Sequence, residues 1–140
     1  GNSSLTFDID FLTTGNYSVT MSAKNNATAD GQGSWQPRNQ VTVNPWHLPA
    51  GYTHFQVEVR LDSVLIGTLN IAASDSVFNS DSLNFVINTA GVHSLDLRWI
   101  NDSYNPGPAV DPSPGAPYLP YPNIREDANI MVEKIVVAKL

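Results

Sequence analysis

Apolar residues recur at every second position along much of this chain. Leu5, Phe7, Ile9 and Phe11 alternate with Thr6, Asp8 and Asp10, which predicts a half-buried strand. Gly15-Asn16 reads as a turn, and Tyr17, Val19, Met21 and Ala23 as the strand that follows. Asn25 to Pro37 is polar and Gly-rich and reads as a loop. Val41 and Val43 suit a short strand, and Pro45 to Gly51 a connection. Phe55, Val57, Val59 and Leu61 alternate with Gln56, Glu58 and Arg60 in the clearest strand of all. Asp62-Ser63 then turns the chain, and Val64 to Ala72 returns as its hairpin partner. Leu83, Phe85 and Ile87 give another strand, ended at Thr89-Ala90-Gly91. Val92 to Ile100 carries Leu95, Leu97 and Trp99 on one face, and Ala128 to Leu140 closes the chain with a kink expected near Glu133-Lys134. No segment has a 3.6-residue period. Eight or nine short strands joined by turns predict an all-β fold, a β-sandwich of jelly-roll type, over a single domain spanning 1–140.

One segment breaks the alternation. Seven of the ten prolines fall between Ser103 and Glu126. Proline lacks the N–H a central strand needs, so this stretch is a long, stiff connection. Loops of that length in a compact domain are usually functional or disordered. It carries Tyr104, Tyr118 and Tyr121, rings suited to packing against the C–H faces of sugars. Trp35 and Trp46 sit on polar stretches and are further candidates for ligand stacking. Trp99, in step with Leu95 and Leu97, is expected in the core. His93, at the head of a strand, is expected to pack or hydrogen-bond.

Charge and composition narrow the chemistry. Only 14% of the 140 residues are charged and the formal net charge is −6, so a basic face for nucleic acid is absent. The chain has no cysteine, which excludes disulfides and thiolate chemistry. No apolar run is long enough for a transmembrane helix. An Asn-, Ser- and Thr-rich surface leans toward a secreted module. Absence of cysteine suits a bacterial source, and the strand-like start at Gly1 suits one module of a larger secreted protein.

The two ends of the Pro-rich segment hold the candidate chemistry. Asn101-Asp102 precedes it and Asp127-Ala128-Asn129 follows it. Were the two flanking strands neighbours, Asp102, Asp127 and Asn129 would converge, with Asp111 and Glu126 as further oxygen donors. Calcium takes six to eight oxygens from carboxylates, amides, carbonyls and water, so these residue types suit it better than they suit zinc. A glycosidase would also use two carboxylates. A cation between them would make them ligands instead, and the sequence has no Gly-x-Ser-x-Gly, His-Glu-x-x-His or phosphate loop. A non-enzymatic role is expected.

The stretch from Ala90 to Asp102 reads AGVHSLDLRWIND, and that from Asp127 to Ile135 reads DANIMVEKI. Together they resemble the C-terminal half of calcium-dependent xylan-binding modules, carbohydrate-binding families 36 and 60, relatives of the family 6 and 35 group. Val57 to Gly67 resembles their central hairpin. The likeness spans roughly residues 55 to 138. It departs from their pattern at Ala128, at Glu133 and in the long Pro-rich segment. It implies a jelly roll with a loop-end calcium that chelates vicinal hydroxyls of a polysaccharide or oligosaccharide. Asp102, Asp127 and Asn129 then fall at metal positions, and Asn101 beside the ligand. The alternative is a calcium-stabilised structural or adhesion domain with a protein partner.

Overall fold

The computed structural model describes residues 3–27, 47–105 and 126–140, and every regular element within them is a strand. These are β1 (Ser4–Phe11), β2 (Gly15–Asn25), β3 (His54–Leu61), β4 (Val64–Ala72), β5 (Asn79–Ile87), β6 (Gly91–Trp99), β7 (Tyr104–Asn105), β8 (Glu126–Asp127) and β9 (Ile130–Lys139). They form two main antiparallel sheets. One has the order β1-β6-β3-β4, the other β5-β2-β9, and β7 and β8 make a separate two-stranded ribbon. The sheets pack face to face as a β-sandwich, consistent with a jelly roll.

Strand alternation delivers one apolar face of each sheet to the core. Phe55, Val57, Val59, Leu69, Ile71, Leu95, Leu97 and Trp99 come from the four-stranded sheet, and Tyr17, Val19, Met21, Ala23, Phe85 and Ile87 from the other. The Asp62-Ser63 turn has φ of 49° and 69° at its two central residues, the left-handed pair that suits the right-handed twist of a hairpin. The kink expected near Glu133-Lys134 is a bulge. Ser22 pairs with Lys134 and Ala23 with Val132, leaving Glu133 as the extra residue, its carboxylate accepting from the Ser22 hydroxyl at 2.6 Å.

Three expectations change. The first turn lies at Leu12 to Thr14, and Gly15-Asn16 already belong to β2. Asn25 ends β2 and is buried; it is not a loop residue. Leu5 and Phe7 are 42% and 40% exposed, because β1 is an edge strand on the side where the sheets part. Val41 and Val43 lie outside the described residues.

Candidate functional site

The two chain segments that flank the Pro-rich stretch meet. Tyr104 pairs with Asp127 and Asn105 with Glu126, and the Ala128 N–H donates to the Ser103 carbonyl at 2.8 Å. This clamp lies at one end of the sandwich, where β6 runs out and β9 begins. Ala128 is fully buried there, so the chain between Asp127 and Asn129 is seated in the core margin.

A polar network knits this end to its neighbours. Asn25, with no exposed surface, accepts the Asn129 N–H at 2.8 Å and donates its amide to Asp75 at 2.7 Å. Asn26 N–H donates to the Asn129 carbonyl at 2.6 Å. Asp75 also accepts the Leu48 N–H at 3.0 Å and lies 3.4 Å from His47 Nδ1. Asp127 donates its N–H to the His47 carbonyl at 2.8 Å, and its carboxylate accepts the Asn129 side-chain amide at 2.8 Å. Buried polar groups need such partners, because an unmet one costs about 1–3 kcal/mol.

Asn101 is fixed more tightly than a simple contact residue. Its side-chain oxygen accepts from the Gln56 N–H at 2.8 Å, from Trp99 Nε1 at 2.9 Å and from the Tyr52 hydroxyl at 3.1 Å. Its amide group donates to the His54 carbonyl at 2.8 Å. Trp99 is in the core as expected, stacked edge-to-face on Phe55. Tyr52 follows a turn in which its N–H reaches the Pro49 carbonyl and Gly51 takes a φ of 81°. Burial pushes the Tyr52 hydroxyl up to about 12; the Asp102 charge adds to this, and the hydrogen bond from Trp99 works against it. The phenol is therefore a permanent donor at any working pH.

Asp102 is half-buried beside Tyr52, with its Oδ1 shut off from solvent. Asp102, Asp127 and Asn129 thus share one end of the molecule. Their oxygen chemistry suits a hard cation. Their arrangement suits it less well, since the Asn129 NH2 group already faces the Asp127 carboxylate. Among the described residues no three His, Asp or Glu side chains are grouped for a metal. Trp35, Trp46, Asp111, Tyr118, Tyr121 and the Tyr104 side chain lie outside the described residues.

Sequence reasoning missed Tyr52, Gln56 and Asn70. With Thr53, His54 and Asn101 they line an open polar pocket of about 320 Å³ next to the clamp. Gln56 and Asn70 were readable only as outward positions of strands, and Tyr52 only as the residue after a Pro-Ala-Gly turn.

Set against known proteins, the chain matches no family model and no curated protein. Among solved structures it is similar in fold to a family 35 carbohydrate-binding module from an environmental isolate. The identity is 13%, the match covers 99% of this chain and 72% of that one, and the TM-score is 0.46. It is also similar to a Paenibacillus sp. cycloisomaltooligosaccharide glucanotransferase complexed with cycloisomaltoheptaose, at 19% identity and a TM-score of 0.40. That match covers 69% of this chain and 11% of the enzyme.

Proposed function

We propose that this chain is a non-catalytic carbohydrate-binding module, and that its polysaccharide ligand lies at the end of the sandwich where Asn101-Asp102 and Asp127-Asn129 come together. The observation that carries this reading is the clamp itself. Pairing of Tyr104 with Asp127, and of Ala128 with Ser103, anchors both feet of a 20-residue Pro-rich stretch beside two carboxylates and a polar pocket. The sequence resemblance to calcium-dependent xylan-binding modules falls on the same residues. On this reading Asp102 and Asp127 hold a calcium ion. The ion would supply coordination to adjacent sugar hydroxyls. The protein's own contribution is to fix the two carboxylates at one place, beside an Asn101 locked by the Tyr52 hydroxyl, Trp99 and the neighbouring backbone. By the same reading the module is secreted and belongs to a larger multidomain protein of bacterial type.

Affinity electrophoresis in gels cast with soluble xylan tests it. Xylan is expected to retard the wild-type protein. EDTA, Asp102→Ala and Asp127→Ala are each expected to weaken that retardation by on the order of tenfold or more, the scale of losing charge-assisted contacts. Normal binding by both variants would defeat the site. Calcium-dependent melting with no sugar retardation in any gel would favour the structural domain instead.

A further inference from the structure

The pocket beside the clamp has a chemistry of its own. It opens on the outer face of the four-stranded sheet. Phe55, Val57, Leu69 and Ile71 turn inward, so His54, Gln56 and Asn70 turn outward. Gln56 and Asn70 face each other directly across the β3–β4 ladder, which sets their Cβ atoms roughly 5 Å apart. Among the described residues, the pocket lining has no Asp, Glu, Lys or Arg. It offers one phenol, one hydroxyl, one imidazole and three carboxamides, and its lining is mostly polar.

Its floor is rigid while its rim is available. Asn101 is held by the four hydrogen bonds already described, and the Tyr52 ring is braced edge-to-face on Phe55 at 5.6 Å. Gln56 and Asn70 are exposed, and no hydrogen bond joins either side-chain amide to another described residue. A carboxamide both donates and accepts, as does a sugar hydroxyl. Two such groups at ladder spacing can each bond one of two hydroxyls on the same ring. The described lining itself holds no cation to compensate a carboxylate or phosphate once calcium is removed, and the chain's net charge of −6 adds repulsion. An aliphatic ligand would leave the amides unmet.

We infer that the Gln56–Asn70 pocket is a metal-independent subsite for an uncharged sugar ring, which selects neutral rings over uronates without help from calcium. This deepens the carbohydrate-binding reading and rests on it. It goes beyond that reading in assigning recognition to residues outside the Asp102–Asp127 clamp and in excluding uronate rings from that subsite.

The experiment is affinity electrophoresis against three gels, arabinoxylan, galactomannan and polygalacturonate, with calcium and with EDTA. Wild type, Asp102→Ala and the double variant Gln56→Ala/Asn70→Ala are compared. Both substituted side chains are exposed, and the melting temperature of the double variant serves as the folding control. At least one neutral polysaccharide is expected to retard wild type, and in EDTA polygalacturonate is not. A residual retardation is expected to survive EDTA and Asp102→Ala. The double variant is expected to lose on the order of tenfold in affinity for that neutral polysaccharide, the scale of two neutral hydrogen bonds, in EDTA as in calcium. The inference fails if the double variant binds like wild type while EDTA or Asp102→Ala abolishes retardation; the carbohydrate-binding reading then survives alone. It also fails if polygalacturonate is the glycan bound in EDTA. No retardation in any gel overturns both.

Discussion

His93 sits where its two ring nitrogens meet two acceptors. Nδ1 lies 2.5 Å from the Asp62 carboxylate and Nε2 lies 2.6 Å from the Thr89 carbonyl. Only the imidazolium can donate to both, so the geometry selects the charged ring. The hydrogen bond to Asp62 raises its pKa above the ordinary 6.5, with the Thr89 carbonyl adding to it, against some loss from burial. Asp62 moves the other way, below 3.8, through its bond from His93 and the Ser94 N–H. The sign follows from linkage. A raised His contributes stability that is whole below its unfolded pKa of about 6.5 and fades as pH rises through the folded value. A lowered Asp contributes above about 3.9 and fades as pH falls through its folded value. The contact is therefore strongest between roughly pH 4 and pH 6.5. The melting temperature of wild type minus that of His93→Gln should be largest in that window and shrink toward pH 9. A difference that stays flat across pH would mean that His93 acts by shape alone. The sequence marked His93 as a packing or hydrogen-bonding residue, but nothing in it named Asp62. That partner is 31 residues away and arrives only because two hairpin ends adjoin.

Between elements, the sandwich is closed on the side where β4 meets β5. Gly67 on β4 is the tight point. A Cβ there would stand 2.7 Å from Cδ1 and 2.9 Å from Cδ2 of Leu83. Those are the far atoms of a half-buried, flexible side chain, so the strain of Gly67→Ala is moderate, about 1–2 kcal/mol of overpacking. In a Leu83→Ala background the obstruction is gone. Gly67→Ala should then be neutral or slightly stabilising, since it also narrows the unfolded ensemble. Urea denaturation of the four proteins measures this, and additive effects would show that the two positions do not meet. The individual strands were legible in the sequence because period-two alternation is a local property. Which strands adjoin was legible only for the β3–β4 hairpin. The order β1-β6-β3-β4 depends on pairing between segments some 90 residues apart, such as Leu5 with Leu97. The approach of Gly67 to Leu83 depends on how two sheets seat on each other. The meeting of the two segments was legible as a conjecture from two Asn/Asp clusters bracketing a Pro-rich stretch, but the pairing of Tyr104 with Asp127 was not. The Gln56–Asn70 pocket was not, because two outward polar residues on a hairpin are the commonest pattern on any exposed sheet.

Over the whole molecule, packing is uneven, and stability should be uneven in the same sense. On the side opposite Gly67, β1 edges one sheet and β9 edges the other, and the two do not pair among the described residues. An apolar groove runs between them, lined by Leu5, Phe7, Ile9, Val132, Ile135 and Val137. Residues of identical strand pattern therefore differ in worth. Leu95 is fully buried in the middle of the sandwich, whereas Phe7, its partner across the β1–β6 ladder, keeps 40% of its surface exposed. Leu95→Ala removes well-packed atoms from a site that cannot collapse and should cost about 2–5 kcal/mol. Phe7→Ala removes a larger side chain, yet much of it already faces water, so the loss should be about 1–2 kcal/mol. Equilibrium denaturation in urea, with unchanged slope for each variant, gives both values. Amide exchange supplies an independent check: amides shared by β6 with β3 and by β2 with β5 should be the slowest, and those on the outer edges of β1 and β9 among the fastest. If Phe7→Ala cost as much as Leu95→Ala and the β1 edge were strongly protected, that groove would be covered in solution. The fold's weakest side would then have to be sought elsewhere.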